Sequence, residues 1–130
     1  MSKQCPCGSY QPYTVCCEPF HLWQQFPKAA EQLMRSRYSA YVLHQIDYII
    51  QTTLPIQQKQ LDYEAIRQWS IQTDWQGLKV IQTKYLQGTH QAKVTFEAYY
   101  QEEGELKVHH EVSTFIKIAQ RWYFKDPTVC

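Results

Sequence analysis

No run of 18 or more apolar residues occurs in the chain, so no segment of membrane-spanning length is encoded. Charge of one sign is missing too. Thirteen Lys and Arg stand against twelve Asp and Glu, a formal net charge of +1 with no basic run anywhere. Such a balance lacks the electrostatic footprint of a general polyanion binder, which argues against nucleic acid as a partner. No G-x-S-x-G elbow, phosphate loop or dinucleotide fingerprint is present, so the common signatures of esterases, nucleotide hydrolases and dehydrogenases are absent. The first residues, Met1 to Cys5, carry no apolar segment of the secretory type. A reducing cytoplasm is the expected setting, with no membrane. What the chain does have is apolar mass. Hydrophobic residues make up 44% and aromatics 15%, enough to bury a core and to exclude wholesale disorder. A length of 130 residues bounds it to one domain with a small appendage.

Four of the five cysteines fall close together, in the pattern C-x-C-x8-C-C: Cys5, Cys7, Cys16 and Cys17. In a reducing compartment such a cluster reads as a metal site rather than as disulfides. A bridge between the adjacent Cys16 and Cys17 would strain the peptide between them, whereas two close pairs of thiolates can surround one tetrahedral zinc ion. Pro6 stiffens the first pair, and Gly8-Ser9 follows as a turn. The intervening loop is too short for a core of its own, so metal is what would fold it. His21 lies four residues beyond Cys17 and is the alternative fourth ligand. One zinc per chain is expected. Cys130, at the end of the chain, has no adjacent basic residue to activate it as a nucleophile.

The residues Cys5-Pro-Cys7-Gly-Ser9, Tyr13 and Cys16-Cys17 resemble the SEC-C motif, the zinc knuckle found at the C-terminus of the SecA translocation ATPase and in many small bacterial proteins. Gln11, Pro12 and Thr14 stand where that motif usually has glycine and lysines, so this knuckle is less basic than its relatives.

After the knuckle (residues 1–20), residues 21–27 read as a linker whose aromatics pack on the main domain of residues 28–130. From Lys28 the period is helical: Ala30, Leu33, Met34, Arg37, Tyr38, Tyr41, Val42 and Gln45 share one stripe. A second helical stretch over about 45–53 stops before Pro55, with a break near His44. Asp62 caps a third helix over 62–72, stapled by Leu61 and Ile66 and burying Ile66 and Trp69. The period then becomes two. Strands are expected over 78–87, 91–101, 106–119 and 121–125, with a hairpin at Glu102-Glu103-Gly104. Helices first and then an antiparallel meander make an α+β domain.

The helix Leu33 to Val42, Asp47-Tyr48, Thr73-x-Trp75-x-Gly77-Leu78, His110-Glu111-x-Ser113-x-Phe115 and Trp122-Tyr-Phe-x-Asp126 together resemble the YchJ-type bacterial proteins. That resemblance covers nearly the whole chain. It implies a SEC-C knuckle ahead of a nuclear-transport-factor-2-like (cystatin-like) cone, a curved sheet wrapping a long helix, often with a pocket in its mouth. Many such proteins carry a second knuckle at the C-terminus, whereas this chain has one. Pro127 replaces the glycine that usually follows the Asp of the last strand.

The face of strand 106–119 decides what a pocket would contain. Pure alternation makes Leu106, Val108, His110, Val112, Thr114, Ile116 and Ile118 the core face. The family motif instead turns Glu111, Ser113 and Phe115 inward, and the reading leans that way. Arg37, Trp75, Glu111, Ser113, Trp122 and Asp126 would then converge in one cavity. An arginine on a core stripe needs partners, and Glu111 and Asp126 are the candidates for an ion pair. His109-His110-Glu111 is not the H-E-x-x-H of zinc proteases. Two functions follow. The first is a zinc-binding adaptor that takes a protein partner through the knuckle. The alternative is a small-ligand binder or an enzyme of isomerase or hydrolase type, with Glu111 or Asp126 as base beside Arg37. No catalytic residue is assigned. An exposed sheet face would permit a homodimer.

Overall fold

The computed structural model describes residues 3–129. Cys130, and with it any role for its thiol, lies outside the described residues. The knuckle comes first and ends in a one-turn helix α1, Glu18–His21. The long helix α2, Ala30–Leu43, follows. Gln32 supplies its entry contact by accepting from the backbone N–H of Lys28 at 2.7 Å. The helix stops at His44, whose φ of 63° is the left-handed conformation that terminates helices. The apolar stripe therefore ends at Val42, and Gln45 stands outside α2. Helix α3 is Ile46–Gln51, and a 3-10 turn over Pro55–Gln60 leads to α4, Tyr63–Gln72. Asp62 caps α4 as expected, accepting from the Ala65 N–H at 3.1 Å.

Four antiparallel strands form one meander in the order β1 (Asp74–Leu86), β2 (Gln91–Glu102), β3 (Glu105–Ile118) and β4 (Arg121–Lys125). β1 begins at Asp74, earlier than the alternation indicated. Register shifts beside Gly77 and Gln82 bend it, which is how a strand of this length curves around a helix. The chain after α3 closes the other side: Leu54 N–H donates to the Phe124 carbonyl at 2.9 Å, and Phe124 N–H donates to the Thr52 carbonyl at 2.8 Å.

The concave face carries Ala92, Val94, Phe96 and Ala98 of β2, with Phe115 and Trp122 beyond them. They pack on Ala30, Leu33, Met34 and Tyr38 of α2. Register settles the face of β3. Phe115 lies opposite Ala92 and Phe124, and Ser113 lies opposite Val94, so Glu111, Ser113 and Phe115 point inward. Leu106, Val108, Val112 and Ile118 are left exposed on the convex side. Pure alternation misleads because β-branched residues also serve strand geometry where nothing covers them. α4 differs from expectation as well. Ser70 is its buried residue, while Trp69 is 50% exposed.

Candidate metal centre and cone pocket

The knuckle is built from a small antiparallel bridge. Gln4 pairs with Pro12, the Cys5 N–H donates to the Gln11 carbonyl at 2.7 Å, and the Tyr13 N–H donates to the Lys3 carbonyl at 3.0 Å. This closes the first cysteine pair onto the turn that carries the second. The Sγ atoms of Cys5, Cys7, Cys16 and Cys17 lie within 4.8 Å of one another. Cys7 and Cys16 are 3.6 Å apart, and Cys16 and Cys17 are 4.0 Å apart. All four are free thiols. A tetrahedral site with metal–sulfur bonds of about 2.3 Å requires sulfur–sulfur edges of about 3.8 Å, so the donor set fits a metal ion. The thiols cannot all ionise unaided. Cys17 and Cys5 hydrogen-bond the Cys7 sulfur and hold its pKa far below the usual thiol range. Cys17 is pushed far up, because Cys5, Cys7 and burial all favour its protonated form. A divalent cation would supply the charge that four thiolates in this space need. Ser9 Oγ lies 3.1 Å from Cys16 Sγ and gives that sulfur a polar contact.

His21 is not a member of this set. Its Nε2 donates to the Ser36 carbonyl at 2.9 Å, and its Nδ1 lies 2.7 Å from the Tyr13 hydroxyl. Both ring nitrogens are engaged away from the thiols, which is the arrangement of a neutral imidazole. Burial lowers its pKa, in keeping with that state. The ring also stands edge-on to Tyr48 at 4.8 Å. His21 thus joins the knuckle to α2. Arg35 makes a second join, with Nη1 donating to the Cys7 carbonyl at 2.7 Å and Nε to Glu31 at 3.0 Å. Gly8 makes a third. At φ 84° it sits so close to β1 that an added Cβ would meet the Leu78 carbonyl oxygen at 3.0 Å. The segment between knuckle and cone packs too, with Phe20 and Trp23 against the cluster of Ala40, Ile46, Tyr48 and Ile49.

The mouth of the cone holds a cavity of about 360 Å³. Arg37, Trp75, Glu111, Ser113 and Asp126 all line it. Trp122 does not. It shares the concave face but lies toward the other end of the sheet, beside Tyr85 at 5.8 Å and under Lys117. The expected ion pair is also replaced. Arg37 Nη1 donates to the Ile49 carbonyl and the Thr52 hydroxyl, both at 2.7 Å, and reaches Thr53 Oγ1 at 3.4 Å. Its guanidinium carbon lies 4.3 Å from the centre of the Phe124 ring. Among the described residues no carboxylate lies within ion-pair distance of it. Burial depresses its pKa, opposed by Tyr41, Tyr48, Asp126 and Glu111 at longer range.

The two carboxylates are held by near neighbours instead. Glu111 accepts a short hydrogen bond of 2.5 Å from Ser113 and lies 3.4 Å from His109 Nε2. Asp126 accepts from the Thr128 N–H at 2.8 Å and its hydroxyl at 2.6 Å. Tyr41, Trp69 and Trp75 form an aromatic wall, with ring centres 5.1–5.7 Å apart. Leu61 and Ile66 line this cavity, and Ile66 also packs on the cluster of Ala40, Ile46, Tyr48 and Ile49. Sequence reasoning missed His109 and Trp69 as pocket residues. For His109 the signal was present, since strand alternation turns it to the same side as Glu111. For Trp69 there was none, because its position depends on where α4 crosses the mouth.

Residues 29–127 match the family described as YchJ, middle NTF2-like domain. The chain belongs to the YchJ (UPF0225) family. A UPF0225 protein of Actinobacillus succinogenes is 48% identical over 129 residues, covering 99% of this chain and 84% of the relative. One from Haemophilus influenzae strain 86-028NP is 52% identical over 128 residues, covering 98% and 78%. The crystal structure of a SEC-C motif containing protein from Psychrobacter arcticus superposes with a TM-score of 0.90 at 41% identity, covering 98% of this chain and 83% of that one. The solution structure of a SEC-C motif containing protein from Rhodopseudomonas palustris gives 0.85 at 35%, covering 97% and 96%. The YchJ-type family, the SEC-C knuckle and the nuclear-transport-factor-2-like α+β fold are therefore established for this chain. No helix among the described residues is long and apolar enough to cross a membrane.

Proposed function

We propose that this YchJ-type protein is a small-ligand-binding protein, with the cone mouth as its working site and a knuckle stapled by one zinc ion. The observation that carries this reading is the open cavity of about 360 Å³ with Arg37 on its wall and no ion pair closing it. A filled cone with Arg37 locked to Glu111 or Asp126 would have meant a purely structural arginine. Cavities of this size, mostly apolar with a few convergent polar groups, are the usual form of small-molecule sites. Zinc is the metal assigned to the knuckle because four thiolates in a closed tetrahedral set are its characteristic structural site. With no coordination position left over, that metal holds the fold and does no chemistry. The test is a thermal-shift screen of small metabolites against the native protein and an Ala65→Trp variant. Ala65 is exposed on α4 and lines the cavity, so tryptophan there plugs the mouth without entering the core. Shifts seen in the native protein and lost in the variant support the reading. A screen with no shifts, or with equal shifts in both proteins, removes it.

A second reading, the knuckle as an adaptor for a protein partner, has its own observation. Tyr10 and Val15 on the knuckle are 80% and 67% exposed. Exposed apolar side chains on a rigid, metal-held loop are suited to a protein contact. Capture from cell lysate by the zinc-loaded protein but not by a Cys16→Ser, Cys17→Ser variant would favour it. Equal captures would leave the cone as the working site.

A further inference from the structure

We infer that the cone pocket takes a small monocarboxylic acid with an apolar or aromatic body, its carboxylate seated on Arg37. This rests on the pocket reading above and names the ligand class for that site. Arg37 is 5% exposed and is the one buried charged side chain among those that line the cavity. Only Nη1 is engaged by the protein among the described residues, and its acceptors are neutral: the Ile49 carbonyl and the hydroxyls of Thr52 and Thr53. Those hydroxyls are turned to accept, because Thr52 donates its own proton to the Tyr48 carbonyl at 2.7 Å and Thr53 to the Ile49 carbonyl at 3.0 Å. The Nε and Nη2 donors are left without an acceptor among the described residues. A guanidinium is a rigid fork matched to a carboxylate, and a buried one without a counter-ion is costly.

The acids of the pocket do not meet this need. Glu111 is spent on Ser113 and His109, and Asp126 on the turn at Thr128. Glu111 is also 34% exposed, so its charge is screened by water, whereas Arg37 sits in low dielectric. The site is thus positive at the floor and negative toward the rim. One carboxylate fits the floor, and a second on the same ligand would meet Glu111. The rings of Tyr41, Trp69 and Trp75 line the same cavity and set the apolar body.

The experiment titrates the native zinc-loaded protein with phenylacetate, phenylacetamide and benzylamine, reading tryptophan fluorescence and calorimetric Kd. These probes share a ring and differ in charge. Phenylacetate is expected to bind about tenfold or more tighter than phenylacetamide, as a charge-assisted fork requires. Replacing Arg37 risks the fold, since it ties α2 to α3, so the supporting variant is Glu111→Gln. Removing the rim charge should tighten phenylacetate severalfold more than it changes the binding of phenylacetamide. Equal binding of acid and amide, or tighter binding of benzylamine, overturns the inference. The pocket reading survives either result if Ala65→Trp blocks those probes. If none of the three binds, the inference falls, and the metabolite screen decides the pocket reading separately.

Discussion

Replacing His21 by alanine separates two roles that its position in the chain confuses. The imidazole is buried between the knuckle and α2. It hydrogen-bonds the Ser36 carbonyl and the Tyr13 hydroxyl and packs on Tyr48. Each neutral hydrogen bond contributes about 1 kcal/mol net, and the edge-on aromatic contact about 0.5–1.5 kcal/mol. The Ser36 carbonyl keeps a contact from Ser39 Oγ at 3.1 Å, so it is not orphaned by the change. The expected loss is about 2–4 kcal/mol, including a partly collapsed cavity. For a domain of this size that lowers Tm by roughly 8–15 °C. Zinc content should stay at one per chain, because His21 faces away from the thiols. Calorimetric melting and metal analysis of the same sample read both quantities. Loss of zinc at unchanged Tm would refute the reasoning and make His21 a ligand. Loss of neither would show that the knuckle does not rely on this join.

Other outcomes follow from the same geometry. Cys7→Ser should leave zinc well below one per chain and raise amide exchange through residues 3–20, with the sheet still folded by circular dichroism; full zinc retention would contradict the donor set. Burial lowers the His21 pKa below its ordinary value of 6.5, so the unfolded chain binds a proton that the folded chain does not. The cost of burying a neutral ring is absent above pH 6.5 and grows as the pH falls from there through the lowered folded value, and His21→Ala should flatten this part of a stability-against-pH curve. Asp62→Ala removes the α4 cap and should cost about 1 kcal/mol, read by urea denaturation. Phe115→Ala opens the centre of the concave face and should cost about 3–5 kcal/mol by the same assay.

Local chemistry explains which features are legible in the order of residues alone. The spacing of Cys5, Cys7, Cys16 and Cys17 names a donor set because a short loop can bring its own ends together without help from elsewhere. The stripe on α2, the Asp62 cap and the alternation of β2 are likewise written in neighbouring residues. Arg37 could be recognised as an anomaly on an apolar stripe. Its partners could not, since Ile49, Thr52 and Thr53 reach it only when α3 folds back and the following chain pairs with β4. The inward face of β3 was decided by pairing with β2 and β4, because alternation alone favoured the opposite, more apolar face. His21 shows the same limit. Four residues past a cysteine it reads as a ligand, and only the packing of α2 turns its ring away. The sequence by itself determined the loop that carries the four-cysteine donor set and the order of the elements, whose causes act over a few residues. The tertiary structure alone decided the pocket, because its charge pattern depends on residues far apart in the chain meeting across a curved sheet.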